Sequence, residues 1–513
     1  VSGKARHVIV RATALPKEAT VAIKYVAEDT TPLYAAATGD KKLLELLWGD
    51  RVDVLETGPP RARVRARGKV GHVREAALGT EALLEVYFID VGQGDGVLIR
   101  TPDGRHLMID GGYKRANQPT GKNAADFVDW KFARDYGLSQ IRLDAVLASH
   151  NDADHYGGLW DLLNVSENDE LDAADVRVEA FYHAGVAWWM NPSGGERWLG
   201  PTSADKKFLI QLMGGRPEVV AALAEGATPR LQGEWAQFVR AVTQARTSDG
   251  TATPIRRLSH VDQHLPGFDG SDGGVAVRVL APFASTVGGQ PAVRSYGAST
   301  AKNTNGNSLL LRLDYKRSRI LLTGDLNRDS QRALLDDYVG HRIELQCDVA
   351  KACHHGSDDV SYEFLSAMRP AVTVISSGDN EGHDHPRPGI VAASATTGYL
   401  EIANDRIVTP LVYSTEIARS VSLGTPAKLT ITDAAGETVV KESDLGSVTV
   451  DARVMKVGDL HPTTIKRRLN RTQIVAGLVY GLVNVRTDGR KILCATLNEK
   501  DHTWQTRTLT SRF

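Results

Sequence analysis

Cysteine is nearly missing from this chain: Cys347, Cys353 and Cys494 are the only three in 513 residues. So few thiols, irregularly spaced, argue against a disulfide framework and against a cysteine zinc site, and they fit a reducing compartment. No uninterrupted apolar run is long enough to span a bilayer. The opening residues, Val1 to Arg6, lack the apolar core of a secretion signal, and a cytoplasmic location is expected. Net charge is lacking too. At a formal −1 the chain has no global basic field of the kind that advertises a nucleic-acid binder, although a local patch stays open. There is no clear internal repeat and no low-complexity tract.

What is present is the composition of a soluble globular protein, 42% hydrophobic and 24% charged, long enough for two to four domains. Residues 1–80 read as a small β module, with short apolar runs such as Val52-Asp53-Val54-Leu55 separated by the turn signals Gly49-Asp50, Gly58-Pro59-Pro60 and Gly68-Lys69. The string LWGDRVDVLETGPPRARVRARGKVGHV resembles bacterial SH3-like domains, which implies a module that binds peptides, cell-wall fragments or neighbouring domains, or one that only packs. Residues 81–400 form the second region. It opens on three strand-like runs, the last two joined by the hairpin signal Pro102-Asp103-Gly104-Arg105. A less regular insertion is expected around 188–295, with helical stretches at 217–225 and 234–245. Residues 401–513 read as a mixed extension, partly packed on the second region, with a hairpin around Thr487-Asp488-Gly489.

The densest chemistry lies in Ser149-His150-Asn151-Asp152-Ala153-Asp154-His155-Tyr156-Gly157-Gly158, directly after the apolar run Ala145-Val146-Leu147-Ala148. Two carboxylates and two imidazoles this close repel or stay undersatisfied unless a cation sits among them. Four further strand-like runs deliver such residues: Asp325 after ILLTG, His354 and His355 after VAKAC, His383 and His385 after VTVISSG, and His183 after VRVEAFY. A single histidine at a strand end is usually structural. Recurrence of the same design points instead to one site assembled from several strand ends.

Taken in order, FIDVGQGDGVLIRTPDGRHLMIDGG, SHNDADHYGGL, NGNSLLLRL, LLTGDL, HHGS and HDHP resemble the metallo-β-lactamase fold, and more narrowly the hydrolase domain attached to the ComEC family of bacterial DNA-uptake channels and its soluble relatives, including phosphorylcholine esterases. The resemblance runs from about Leu83 to Gly398. It implies an α/β fold, an αββα sandwich carrying two divalent ions, zinc or manganese with magnesium also open. His150 and Asp152 would hold the first ion, Asp154 and His155 the second, with Asp325 between them and His355 or His354 completing the second. Two residues compete for the remaining place at the first ion: Asn305 fits the order of the motifs, and His183 is the better ligand by chemistry and is preferred. Asp152 stands where the superfamily commonly has His, which makes that ion's surroundings more oxygen-rich and favours manganese or magnesium.

The same resemblance implies a metal-dependent hydrolase of phosphodiesters, most readily a nuclease, in which a metal-activated hydroxide attacks phosphorus. Asp154 would also orient the nucleophile, and His354 or His385 would protonate the leaving oxygen, with His383 a further candidate. Asp90, Gln93 and Asp95 would tie the first loop to the metal face, and Asp110 would orient a ligating histidine. A small-molecule phosphodiesterase, or a recognition or scaffold component of a bacterial defence complex acting through the SH3-like module or the C-terminal extension, remain the alternatives. Trp188-Trp189 could stack a base or be buried under the insertion. The alternation in RARVRARGK could meet a polyanion, but suits better the solvated face of an edge strand.

Overall fold

A computed structural model describes residues 22–117, 123–164, 170–173, 175–194, 198–378 and 385–415, and beyond these 420–424, 428–433, 436–441, 448–454, 463–469, 474–479, 482–498 and 503–513. The chain divides into two compact units, Val1–Ala82 and Leu83–Phe513.

In the first unit a seven-stranded sheet runs in the order Lys42–Leu47, Thr30–Tyr34, Lys69–Val73, Ala62–Ala66, Arg51–Glu56, Ala22–Val26 and Leu78–Gly79. Its paired strands are antiparallel. Period-two alternation explains the segment rich in arginine. Ala62, Val64 and Ala66 are buried in the core with Val52 and Val73, while Arg63 points to solvent. The edge-strand reading of this segment is corrected, because Ala62–Ala66 is hydrogen-bonded on both sides. Several of its cations are also committed internally: Arg65 pairs with Asp53 at 2.7 Å, Arg67 with Asp50 at 2.8 Å, and the Arg61 guanidinium lies 3.4 Å from the centre of the Tyr34 ring.

The second unit holds two large sheets. The first has nine strands in the order Ile255–Arg257, Phe181–His183, Ala145–Ala148, His106–Ile109, Val97–Arg100, Leu84–Ile89, Leu482–Thr487, Lys491–Asn498 and Thr503–Thr510. The second has seven: His264–Asp269, Ala276–Ala281, Leu310–Tyr315, Ser318–Leu322, Val349–Lys351, Val372–Ile375 and Leu411–Ser414. Val86, Phe88, Leu107 and Leu147 of one meet Val277, Leu311, Ile320 and Val372 of the other in a shared dry core. On the outer face of the nine-stranded sheet, Leu159 and Leu162 of the helix Ala153–Leu163 pack with Phe238 and Val242 of Gly233–Gln244. Leu334 of Arg328–Asp337, Phe364 of Tyr362–Met368 and Ile390 of Pro388–Thr397 cover the other outer face. The layers are therefore helix, sheet, sheet, helix, each sheet burying both faces.

Both predicted hairpins form: Val97–Arg100 pairs with His106–Ile109, and Leu482–Thr487 with Lys491–Asn498. A helix forms at Ala124–Asp129 and continues as a wider π-helical turn through Asp135. The insertion expected around 188–295 ends earlier, since His264–Asp269 and Ala276–Ala281 are members of the seven-stranded sheet. A register shift between His264 and Asp269 hides the period of that strand in the sequence. Residues after 400 contribute strands to both sheets, and Ser318 Oγ meets Thr487 Oγ1 at 2.7 Å between them.

Strand direction positions the site. Ala145–Ala148 is parallel to His106–Ile109 and to Phe181–His183, so Asp110, His150 and His183 lie at carboxyl ends on the same edge. Ser318–Leu322, Val349–Lys351 and Val372–Ile375 are likewise parallel, so Asp325 and the residues after Lys351 leave their sheet together.

Candidate metal centre

The loop after Ala148 turns at once into the helix Ala153–Leu163, with Asp152 at its N-cap. That turn requires very close backbone approach. A Cβ on Gly158 would overlap the Gly111 carbonyl, and one on Gly94 would overlap the carbonyl of Asp154. From the other sheet, His354 and His355 arrive with φ of 49° and 51°, the left-handed region that non-glycine residues adopt only when their surroundings compel it. That backbone brings both imidazoles close to the 150–155 loop.

Asp95, His155, Asp325 and His355 are buried and form one cluster. His155 Nε2 is 3.2 Å from His355 Nε2, and Asp325 Oδ2 is 3.3 Å from the first and 2.9 Å from the second. Asp154 offers its carboxylate to the same point, 3.9 Å from His155 Nε2 and 3.6 Å from His355 Nε2. Donors about 2.0–2.1 Å from one tetrahedral ion lie roughly 3.3 Å apart, so these atoms fit one ion. Asp95 belongs to the cluster in a different way. Its Oδ1 lies 3.2 Å from His355 Nδ1, and its Oδ2 is taken by the Lys351 ammonium. It therefore faces the back of the ring and not its lone pair. Asp110 does the same for His155: Oδ2 is 2.9 Å from Nδ1, while Oδ1 accepts from Ser149 N at 2.7 Å.

A second group adjoins the first. The His150 ring centre lies 3.9 Å from that of His155. His150 Nε2 is buried and makes no hydrogen bond, which is the state of a lone pair kept for an electrophile. It lies 3.8 Å from Asp152 Oδ2. The Asn305 amide, oriented so that both its atoms are satisfied, donates to Asp152 Oδ2 at 3.1 Å and accepts from His354 Nε2 at 3.3 Å.

Charge tells the same story. Burial works against a charged His155, yet Asp325, Asp110 and Asp154 hold the ring well above the ordinary histidine range. Burial likewise opposes charge on His355, and Asp325 and Asp95 lift it to about 9. Burial, then the neighbouring His155, pushes His150 well below that range. Asp325 is held well below the usual carboxylate range by His355 and His155 against the effect of burial. Protons retained on buried rings facing carboxylates mark a place where a cation is favoured, and an ion entering there would displace them.

The structure thus brings together His150, Asp152, Asp154, His155, Asp325, His354 and His355. It corrects the preference for His183. That residue pairs in register with Ala148, and its Nε2 donates to the Gly214 carbonyl at 3.0 Å, so the ring is held by the protein interior. Asn305 is the candidate that reaches the donors. His385 is near, its ring centre 5.9 Å from that of His354, and His383 lies outside the described residues. Gln93 Nε2 donates to Asp154 Oδ2 at 3.0 Å, which ties the first loop to the donors. Trp188 Nε1 donates to the Asn151 carbonyl at 2.8 Å and braces the donor loop, while Trp189 is buried. Sequence reasoning missed Lys351, buried between Asp95 and Asp325 with Nζ donating to Gly324 O at 2.9 Å. Its one signal was a lone cation between Ala350 and Ala352 in an otherwise apolar strand. Ser308, whose Oγ lies 3.3 Å from His150 Nδ1 and accepts from Asp325 N at 3.2 Å, was missed as well.

Residues 89–288 match the model of the metallo-beta-lactamase superfamily, so the second unit carries a domain of that class, one of metal-dependent hydrolases. Among individual proteins, the chain is 26% identical over 373 residues to the competence protein ComA of Neisseria gonorrhoeae, a match covering 71% of this chain and 37% of that protein. It is 28% identical over 100 residues to ComE operon protein 3 of Bacillus subtilis (strain 168), covering 19% and 12%. The chain therefore spans well under half the length of these curated relatives. Among solved structures, a diphosphatase of the PhnP family matches at 11% identity and a TM-score of 0.28, over 65% of this chain and 95% of that one. Among the described residues, no helix is long and apolar enough to cross a membrane.

Proposed function

We propose that this chain is a metal-dependent phosphodiester hydrolase acting on nucleic acid. The observation that carries the reading is the convergence of two adjoining donor groups, His155, His355, Asp325 and Asp154 beside His150 and Asp152, at the carboxyl ends of two facing sheets. Two divalent ions held there would supply an activated water and a clamp on the non-bridging phosphate oxygens. The residues themselves would do the rest. Asp154, fixed by Gln93, accepts a proton from the attacking water and keeps it in line. His354, with Asn305 on its Nε2, and His385 stand where a leaving oxygen could be protonated. Asp110 and Asp95 keep His155 and His355 turned so that Nε2 faces the reacting side. Similarity to competence proteins supports nucleic acid as the substrate class. In the same reading the first unit is an SH3-like module that, with the C-terminal extension, serves a protein partner, and the chain works in the cytoplasm.

One set of observations favours a smaller phosphodiester as a second reading. Arg65 and Arg67 are committed to Asp53 and Asp50, and Trp189 is buried, so these candidates for nucleic-acid contact have internal duties. A scaffold without turnover would have no use for so complete a donor set. Incubating the full chain with Mn²⁺ or Zn²⁺ and single-stranded DNA, RNA or bis-p-nitrophenyl phosphate separates the readings. Cleavage of DNA or RNA is expected. Cleavage of the small ester alone selects the second reading, and no turnover of any of them by the metal-loaded protein rejects both.

A further inference from the structure

The two donor groups are built differently behind the atoms that face an ion. In the group of His155 and His355, each imidazole has a carboxylate at its Nδ1: Asp110 Oδ2 at 2.9 Å and Asp95 Oδ1 at 3.2 Å. A carboxylate there fixes the tautomer and makes Nε2 a stronger donor. Lys351 takes the other oxygen of Asp95, so that carboxylate stays an orienting group and does not swing toward the donors. In the group of His150 the ring has hydroxyls only, Ser149 Oγ at 3.0 Å and Ser308 Oγ at 3.3 Å from Nδ1. Neutral hydroxyls orient a ring without adding to its basicity.

Donor number and access differ in the same direction. The first group offers two imidazoles and the carboxylates of Asp325 and Asp154, and the side chains of His155 and His355 are 0% exposed. The second offers one imidazole and Asp152, whose side chain is 31% exposed and shares its Oδ2 with the Asn305 amide. A site with fewer protein donors of both kinds and an open side holds its ion less tightly and exchanges it more freely.

Resting on the metallo-hydrolase reading above, we propose that the centre is graded: a tightly held resident divalent ion between His155, His355, Asp325 and Asp154, and a separate, exchangeable divalent ion at His150 and Asp152. The chain would then carry one ion through purification and take up the second from solution. Both rows of the difference, the partner at Nδ1 and the donor count, point to the same ordering. The carboxylate partners alone are worth roughly 10–100-fold in affinity.

The test is a binding isotherm on the full chain, stripped by chelation and titrated with Mn²⁺, with free ion read by electron paramagnetic resonance and total ion by elemental analysis. We expect two classes per chain whose dissociation constants differ by about tenfold or more. Asp152→Asn is expected to remove the weak class and leave the tight one in place, and His355→Gln to remove the tight class. Two indistinguishable sites in the unsubstituted chain, or loss of the tight ion in Asp152→Asn, overturns the gradation. The unsubstituted isotherm decides the matter even if a variant does not fold. A graded isotherm without turnover would reject the proposed reaction and keep the gradation, turnover with one class of site would do the reverse, and no bound ion would reject both.

Discussion

Asp110 Oδ2 lies 2.9 Å from Nδ1 of His155, 45 residues further along the chain, while the other ring nitrogen of His155 faces Asp325 and His355 from the opposite sheet. One carboxylate thereby decides which nitrogen of a buried imidazole is available. Asp110→Asn keeps the size of the side chain and removes its charge. Ion affinity is expected to fall roughly 10–100-fold with the fold intact. Equilibrium dialysis with elemental analysis, alongside a thermal melt, checks this; unchanged affinity would show that the contact does not tune the ring.

Asp325 meets both ring nitrogens and is among the least exposed carboxylates of the centre. Asp325→Ala is expected to lose the tightly held ion and turnover together. A metallated, active variant would remove Asp325 from the donor set.

Gly158 permits the Ala153–Leu163 helix to touch the Gly111 backbone, where a Cβ would overlap a carbonyl oxygen that cannot yield. Gly158→Ala is expected to destabilise the second unit by about 1–3 kcal/mol, the usual cost of overpacking, and to lower the bound ion in proportion. Chemical denaturation read at both the fold and the metal is the check. Full stability with full metal content would mean the helix is free to shift.

Far from the centre's donors, His106 sits against Tyr136 and Phe132, and burial, then the Arg100 charge, lowers its ring from 6.5 to about 3. In the folded chain the ring stays neutral, whereas unfolded it titrates near 6.5. The stability that depends on a neutral ring is complete above that value and is lost as pH falls from about 6.5 toward 3. In chelator, so that ion release does not enter, the unsubstituted chain is expected to lose up to about 1.4 kcal/mol per pH unit more steeply than His106→Gln over that window. Equal slopes in urea titrations at pH 7, 6 and 5 would contradict the assignment.

Much of this was legible along the chain, for a local reason. The hairpin at Pro102–Arg105 and the strand ending at Ala148 follow from turn residues and a continuous apolar run, which act within a few residues. The donor residues were legible because clustered His and Asp after strands serve folding poorly. Long-range matters were not. His183 follows a strand as regularly as His150 does, but lies beyond Ala145–Ala148 in the sheet and spends its Nε2 on Gly214. Asn305, a poorer ligand by type, is carried to Asp152 by the opposite sheet.

By itself, then, the sequence determined the alternation of strands and turns, the glycines that let the donor loop close, and the inventory of imidazoles and carboxylates. Only the tertiary structure decided which of them meet. Asp110 stands behind His155, Asp95 behind His355 and Ser308 behind His150, across separations of 45 to 260 residues that no local pattern encodes. The physical reason is that a donor's chemistry is set by what occupies its far side, and here that is settled by the register and facing of two sheets.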